Sequence, residues 1–340
     1  MIQVNGKYLK QEVTGVQRVA NEIVSRLACQ KSTIVPSKKN IGGMYSIMWE
    51  QLVLPTKLQV SDMLFSPCNV GPITHAKQVV CIHDVAVLDH PEWFSRSFYL
   101  YYDYVLTRLS KKASFITTVS DFSKRRICQV LGVDDGKVEV IPNGVSDVFF
   151  NQPQSSFSEV KEKFSLPEYY ILCVGSFDGR KNQERLVEAW EKIHKKHTGI
   201  KLVFTGGRGR AFNDSLMGPG LADAIFTGYV DENDLVCLYR NCLMFVYPSI
   251  YEGFGLPVLE AMASGVPVIT SLDSPMEEIS RGGSLLVNPK SPDDIAEAID
   301  ELICNESLCS QLSSFGVEKA KKYSWDFSAN RYDELFRKIN

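Results

Sequence analysis

Tyr247-Pro-Ser-Ile-Tyr-Glu252-Gly-Phe-Gly-Leu-Pro-Val-Leu-Glu260-Ala-Met-Ala-Ser-Gly265-Val-Pro-Val is the stretch that decides the fold. The apolar run Leu243 to Tyr247 reads as a strand that enters a loop with glycines at 253 and 255. Pro257 then suits the first turn of a helix, and Gly265 suits its C-terminal cap. A second apolar run, Val266 to Thr270, follows as the next strand, so the stretch is one strand-helix-strand unit of a parallel α/β sheet. Glycines lacking a Cβ let main-chain N–H groups come close to a ligand, and the helix N-terminus adds partial positive charge, so a diphosphate is the natural guest. Glu252 stands where it would accept hydrogen bonds from sugar hydroxyls, and Glu260 where it would hold a ribose diol. A lone acidic residue near a helix start needs no ligand, because it also offsets the helix dipole.

The same rhythm extends in both directions. Upstream, Ile2–Leu9 reads as strand, Thr14-Gly15 opens an amphipathic helix, and Gln78–Ile82, Phe115–Val119 and Val138–Ile141 read as strands separated by helices over Phe94–Lys112 and Ser120–Leu131. Phe149 to Pro167 drops in apolar content and is the expected interdomain linker. A second series follows, with strands over Tyr169–Gly175, Lys201–Thr205 and Ile225–Phe226, and helices over Asn182–Lys195, Asp231–Cys237 and Ser291–Cys304. The expected domains are residues 1–150 and 165–325, with a last helix over 326–340 packing back on the first. Length agrees, since 340 residues suit two α/β domains.

Composition narrows the function classes. Apolar residues make up 44% and charged residues 23%, ordinary for a chain with large cores. A net charge of −3 gives nucleic acid no electrostatic foothold. The halves differ: residues 1–150 carry 17 Lys and Arg against 13 Asp and Glu, and residues 151–340 carry 20 against 27. Lys111, Lys112, Lys124, Arg125 and Arg126 make up much of the N-terminal excess. Such a set reads either as solvated helix faces or as a patch for anionic lipid or a lipid-diphosphate acceptor. With no long apolar run and no signal-peptide pattern, a cytoplasmic location is expected, with peripheral contact at the membrane through that patch. The nine cysteines lack C-x-x-C spacing and are expected as reduced core residues. His194 and His197 are expected on a solvated face. No metal site is expected, and no D-x-D triplet occurs.

The string from Glu252 to Val268 resembles the signature of the retaining GT-B glycosyltransferases of family 4. Further segments match that family in order: Thr14-Gly15-Val-Gln-Arg18, Ile82-His83-Asp84, Val119-Ser120-Asp-Phe-Ser, Val140-Ile-Pro-Asn143-Gly144-Val, Val174-Gly-Ser-Phe-Asp-Gly-Arg180-Lys181-Asn182 and Gly228-Tyr-Val-Asp-Glu. The resemblance covers nearly the whole chain and implies two Rossmann-like, doubly wound parallel-sheet domains facing a cleft. It also implies that the substrate is a nucleotide-sugar donor, a GDP- or UDP-hexose, with no bound cofactor. The acceptor would be a saccharide or lipid-linked saccharide of a bacterial surface polysaccharide, with mannose the sugar guessed.

Roles follow from the same resemblance. Glu252, His83 and Lys181 would act on the transferred sugar and the leaving phosphate. Arg180, Lys181, Gly15 and the Gly253-Phe254-Gly255-Leu256 turn would hold the diphosphate, Glu260 the ribose, and Val230 the nucleobase. Ser176 stands where many members carry an arginine, so either Arg180 takes its place or the phosphate site is weaker. The sugar would leave as an oxocarbenium-like species attacked from the same face, with the diphosphate helping to deprotonate the acceptor and no metal required. Glu252 would then position the sugar, unlike the paired carboxylates of glycoside hydrolysis. Three competing readings are a sugar-nucleotide epimerase or phosphorylase of similar architecture, a silent nucleotide-sugar binder, and an NAD-dependent oxidoreductase. The last lacks a G-x-G-x-x-G string, which neither Gly206-Gly-Arg-Gly209 nor Gly253-Phe-Gly255 completes.

Overall fold

A computed structural model describes residues 1–39, 41–207 and 224–339, so Arg208 and Gly209 of the glycine run at 206 lie outside the described residues. The chain divides into two compact units, Met1–Gly144 with Tyr323–Asn340, and Val145–Lys322.

The first unit runs β1 (Ile2–Asn5), α1 (Gly15–Arg26), β2 (Lys31–Ile34), α2 (Gly43–Met48), β3 (Met63–Ser66), β4 (Gln78–Cys81), α3 (Ala86–Asp89), α4 (Arg96–Lys112), β5 (Phe115–Thr118), α5 (Asp121–Leu131) and β6 (Val138–Val140). Its strands pair in parallel in the order β2-β1-β3-β4-β5-β6. The second unit runs α6 (Phe157–Phe164), β7 (Tyr169–Val174), α7 (Gln183–Ile193), β8 (Ile200–Thr205), β9 (Ile225–Gly228), α8 (Glu232–Asn241), β10 (Met244–Tyr247), α9 (Leu256–Ala263), β11 (Val268–Ser271), α10 (Pro275–Ser280), β12 (Leu285–Val287), α11 (Pro292–Cys304) and α12 (Glu306–Ala320). Its parallel order is β12-β11-β10-β7-β8-β9. In β3, β4, β10 and β11 every residue is buried, because helices cover both faces of a parallel sheet; such strands read as continuous apolar runs.

The last helix, α13 (Trp325–Ile339), returns to the first unit. Tyr332 and Phe336 pack against Phe65 of β3, and the buried Asp333 carboxylate accepts the main-chain N–H groups of Ala28 and Cys29, at 2.8 and 3.1 Å, just past the end of α1. Lying beyond the helix, these N–H groups are outside its hydrogen-bond ladder, and a side chain 305 and 304 residues away accepts them.

Four expectations change. The presumed linker holds α6, a helix begun by a Ser156–Glu159 capping box, buried through Val160 and tied to α8 where Ser155 Oγ donates to Asp234 Oδ1 at 2.8 Å. His197 is buried to 8% side-chain exposure beside Asp300, 2.6 Å from Nε2, and so does not face solvent freely. Among the cysteines only Cys81, Cys173 and Cys237 are buried; Cys304 is exposed, and the others are half-buried. In the basic stretch, Arg126 is held by Asp89 of α3 and Lys124 by Asp135, which leaves Lys111 and Lys112 as its exposed cations without an ion pair among the described residues. No helix among the described residues is long and apolar enough to cross a membrane.

Candidate functional site

Two loops at the carboxyl ends of neighbouring strands in the second unit, β7 and β10, build the site. Ligands of α/β sheets sit at such ends. After β10 the chain turns through Glu252-Gly-Phe-Gly255, and Gly255 caps α9 with φ 99° and ψ 49°. Any Cβ at Gly255 would also lie 2.6 Å from Met276 Cγ of α10, so both backbone angle and packing demand glycine. Pro257 falls in the first turn of α9, and Gly265 follows its last turn at φ 75°. After β7 the chain makes a short turn over Gly179–Lys181, capped by Asp178 and closed by Asn182 in a left-handed conformation.

The loops are sewn together. Asn182 Nδ2 donates to the carbonyls of Pro248 and Pro289 at 2.9 and 2.6 Å, and Ile250 N donates to the Arg180 carbonyl at 2.8 Å. Lys181 lays its stem across Gly175 and directs Nζ to the Glu252 carboxylate and, at 2.5 Å, to the Tyr247 hydroxyl. Tyr247 donates in turn to Glu252 Oε1 at 2.9 Å, and Ser249 Oγ lies 3.1 Å from the same oxygen. All these bonds fall on Oε1, and Oε2 has no hydrogen-bond partner among the described residues. That leaves one carboxylate oxygen to accept a ligand hydroxyl.

Burial acts to raise the Glu252 pKa, but the Lys181 and Arg180 charges and the Tyr247 hydroxyl outweigh it and hold the carboxyl below its usual value. Glu252 is therefore an anion at neutral pH, suited to accepting hydrogen bonds rather than donating a proton. Burial and the Glu252 charge push Tyr247 far up, so it stays a neutral donor.

The remaining expected residues divide by unit. Arg180 shares the turn with Lys181, but its guanidinium is held by Asp178, with Nη2 2.8 Å from Oδ2. Ser176 is exposed on the same loop. Glu260, on the second turn of α9, is 5% exposed, with the Tyr239 hydroxyl 3.3 Å from Oε2. The Phe254 ring is buried, so the turn offers main chain at that position. Val230 is buried just beyond β9, beside Tyr229, which is 88% exposed.

His83 and Gly15 belong to the first unit. His83 follows β4, with Nε2 2.9 Å from the Pro67 carbonyl and 3.6 Å from Cys81 Sγ. A carbonyl only accepts, so Nε2 carries the proton, and Nδ1 is the nitrogen without a partner among the described residues. Burial alone would lower the imidazole pKa; the Cys81 sulfur and the Pro67 carbonyl turn the shift upward. Gly15 opens α1 behind the Thr14 cap, and a Cβ there would meet nothing within 4 Å. The fold of its own unit therefore does not require glycine at that position.

The supporting side chains Tyr247, Ser249, Asn182 and Asp178 were not assigned roles from sequence. Tyr247 and Ser249 lie inside the quoted string, where their closeness to Glu252 is the one signal; only the folded loops bring in Lys181 and Asp178.

The family model described as Glycosyl transferases group 1 matches residues 155–319, and that described as Glycosyltransferase Family 4 matches residues 65–148. The O-antigen chain mannosyltransferase B of Escherichia coli is 29% identical over 74% of this chain and 67% of its own length. The serotype-specific mannosyltransferase WbdA of Escherichia coli is 25% identical over 67% of this chain and 29% of its own, so the chain spans under a third of that relative. In fold, the Anabaena protein Alr3699/HepE, solved in complex with UDP, superposes with a TM-score of 0.78 over 99% of this chain and 100% of its own at 16% identity. The architecture is accordingly GT-B, and with family matches lying in both units, the chain belongs to the family 4 glycosyltransferases of group 1.

Proposed function

We propose that the chain is a retaining hexosyltransferase that moves a sugar from a nucleoside-diphosphate donor to a saccharide or lipid-linked saccharide acceptor in the assembly of a surface polysaccharide. The observation that carries this reading is the Lys181–Tyr247–Ser249–Glu252 network beside the Gly255 turn. It combines a cation for a departing phosphate, an ionised carboxylate with one oxygen open to sugar hydroxyls, and a helix N-terminus for the diphosphate. Glu252 positions the sugar and Lys181 offsets charge on the leaving diphosphate. Arg180 assists, the 253–256 turn offers its main chain to the phosphates, Glu260 binds the ribose diol, and Val230 borders the base. From the first unit, Nδ1 of His83 contacts the transferred sugar, and Gly15 leaves its backbone open to the diphosphate.

The mannosyltransferases among the relatives favour mannose as the sugar, carried by GDP or UDP. Arg180 and Lys181 are the cations this reading offers to the phosphates, and it includes no divalent ion. A thermal-shift panel of GDP-, UDP-, ADP- and dTDP-sugars in EDTA, with NAD as control, tests these points together. One nucleotide class is expected to raise Tm by about 5 °C at a hundredfold excess over Kd. The rise is expected to vanish in Glu260→Ala. Stabilisation by NAD alone, or by nothing, would remove the donor-site reading.

Peripheral membrane contact is the finer part of the proposal, and it now rests chiefly on Lys111 and Lys112. Reversing both to Glu is expected to lower co-sedimentation with vesicles containing phosphatidylglycerol at least several-fold, each phosphate-facing lysine contributing about 1 kcal/mol. Equal binding by wild type and variant would sink the idea.

A further inference from the structure

We propose that Asp178 competes with the donor's phosphates for Arg180, and thereby hastens release of the nucleoside diphosphate product. The inference rests on the donor-site reading above and adds to it a residue that acts through another. Asp178 caps the turn over Gly179–Lys181 by accepting the Arg180 main-chain N–H at 3.0 Å. A neutral asparagine or serine makes the same cap. The carboxylate does more than that cap requires: Arg180 Nε lies 3.2 and 3.1 Å from its two oxygens, and Nη2 lies 2.8 Å from Oδ2. Although burial acts to raise the Asp178 pKa, the hydrogen bonds and charges of Arg180 and Lys181 lower it, so the group is ionised when donor arrives.

The charge count of the phosphate loop gives this pairing a consequence. Between Gly175 and Asn182 the sequence supplies two cations, Arg180 and Lys181, and Ser176 adds none. In the structure each cation already has a carboxylate, Asp178 for Arg180 and Glu252 for Lys181, so these four side chains sum to zero. An incoming diphosphate therefore draws on cations that are already neutralised. The Glu252 pair lies in a side-chain network only 15–16% exposed, whereas Arg180 and Asp178 are 27% and 32% exposed. The more exposed pair is the one that yields, since solvent screening weakens an ion pair. The Arg180 main chain cannot follow, because Ile250 N and Ser249 Oγ both hold its carbonyl at 2.8 Å. Exchange is thus confined to the side chain: Arg180 turns from Asp178 to phosphate when donor binds, and Asp178 takes it back as the product leaves.

Removing the charge while keeping the cap isolates the effect. Titration calorimetry with GDP and with UDP, on full-length wild type, Asp178→Asn and Asp178→Ser, is expected to show about two- to fivefold tighter nucleotide binding in both variants, the scale of a partly exposed ion pair. Product inhibition should tighten by the same factor, and kcat should fall while the donor KM also falls. Asp178→Glu should stay near wild type. If both neutral variants bind nucleotide as wild type does or more weakly, Asp178 holds Arg180 ready for phosphate and the inference is overturned while the donor site stands. If no protein of the set binds either nucleotide, the donor-site reading falls, and this inference falls with it.

Discussion

Lys181→Met is expected to lower turnover by about a hundred- to a thousandfold, the scale of losing one preorganised charge at a leaving group. The same change removes the partner of a Glu252 carboxylate that is 16% exposed, and breaking a buried ion pair from one side costs about 3 kcal/mol. A fall in stability could by itself mimic a fall in rate, so the double variant Lys181→Met/Glu252→Gln separates the two. With no carboxylate left unpaired it should regain most of the stability in urea unfolding and none of the rate.

The pH dependence carries a second signature. In wild type the Glu252 pKa is depressed, so its stabilisation is present above the unfolded-state value and is lost as pH falls through the lower folded-state value. In Lys181→Met, burial is opposed by less positive charge and the folded-state pKa rises. The variant is then most destabilised at neutral pH, and its deficit against wild type narrows toward acid. Turnover within threefold of wild type, or a deficit that does not change with pH, would remove Lys181 from the role assigned to it.

Gly144→Ala is expected to loosen α13 from the first unit and to cost about 3 kcal/mol or more. A Cβ at this position would fall inside contact distance of Trp325 N and Ser324 C, and 2.8 Å from Trp325 Cα. All three are main-chain atoms, so no rotamer change relieves the overlap. The start of α13 must move, and with it the docking of Tyr332, Asp333 and Phe336. Urea unfolding together with limited proteolysis around residue 323 reads this directly. A variant within 1 kcal/mol of wild type, and no more susceptible to cleavage there, would show that the two backbones part without cost.

Much of the second unit was readable because its signals are local. A glycine that must adopt φ 99°, a proline in the first turn of α9 and a carboxylate on either side of the turn all lie within nine residues, and local geometry alone places them. The alternation of strands and helices was readable for a similar reason, since strands buried on both faces must be apolar throughout. Short elements escaped. β2 is Lys-Ser-Thr-Ile at the edge of its sheet, too polar and brief to carry a pattern, and α12 mixes four serines and Cys309 among its apolar residues, with its face set by packing against α9. The 149–167 stretch reads as linker because its polar residues are caps and ion-pair partners whose purpose appears only once α8 lies alongside.

By itself the sequence determined the fold class, the division into two α/β units and the local geometry of the glycine turn before α9, because each depends on backbone conformations and burial patterns that neighbouring residues dictate. Tertiary structure alone decided the charge state of the site. Lys181 and Glu252 are 71 residues apart in the chain, and only the adjacency of β7 and β10 puts one against the other; the same fold turns Arg180 onto Asp178 and brings Asp333 to the end of α1. Coulomb and hydrogen-bond energies depend on distance through space, which separation along the chain does not encode.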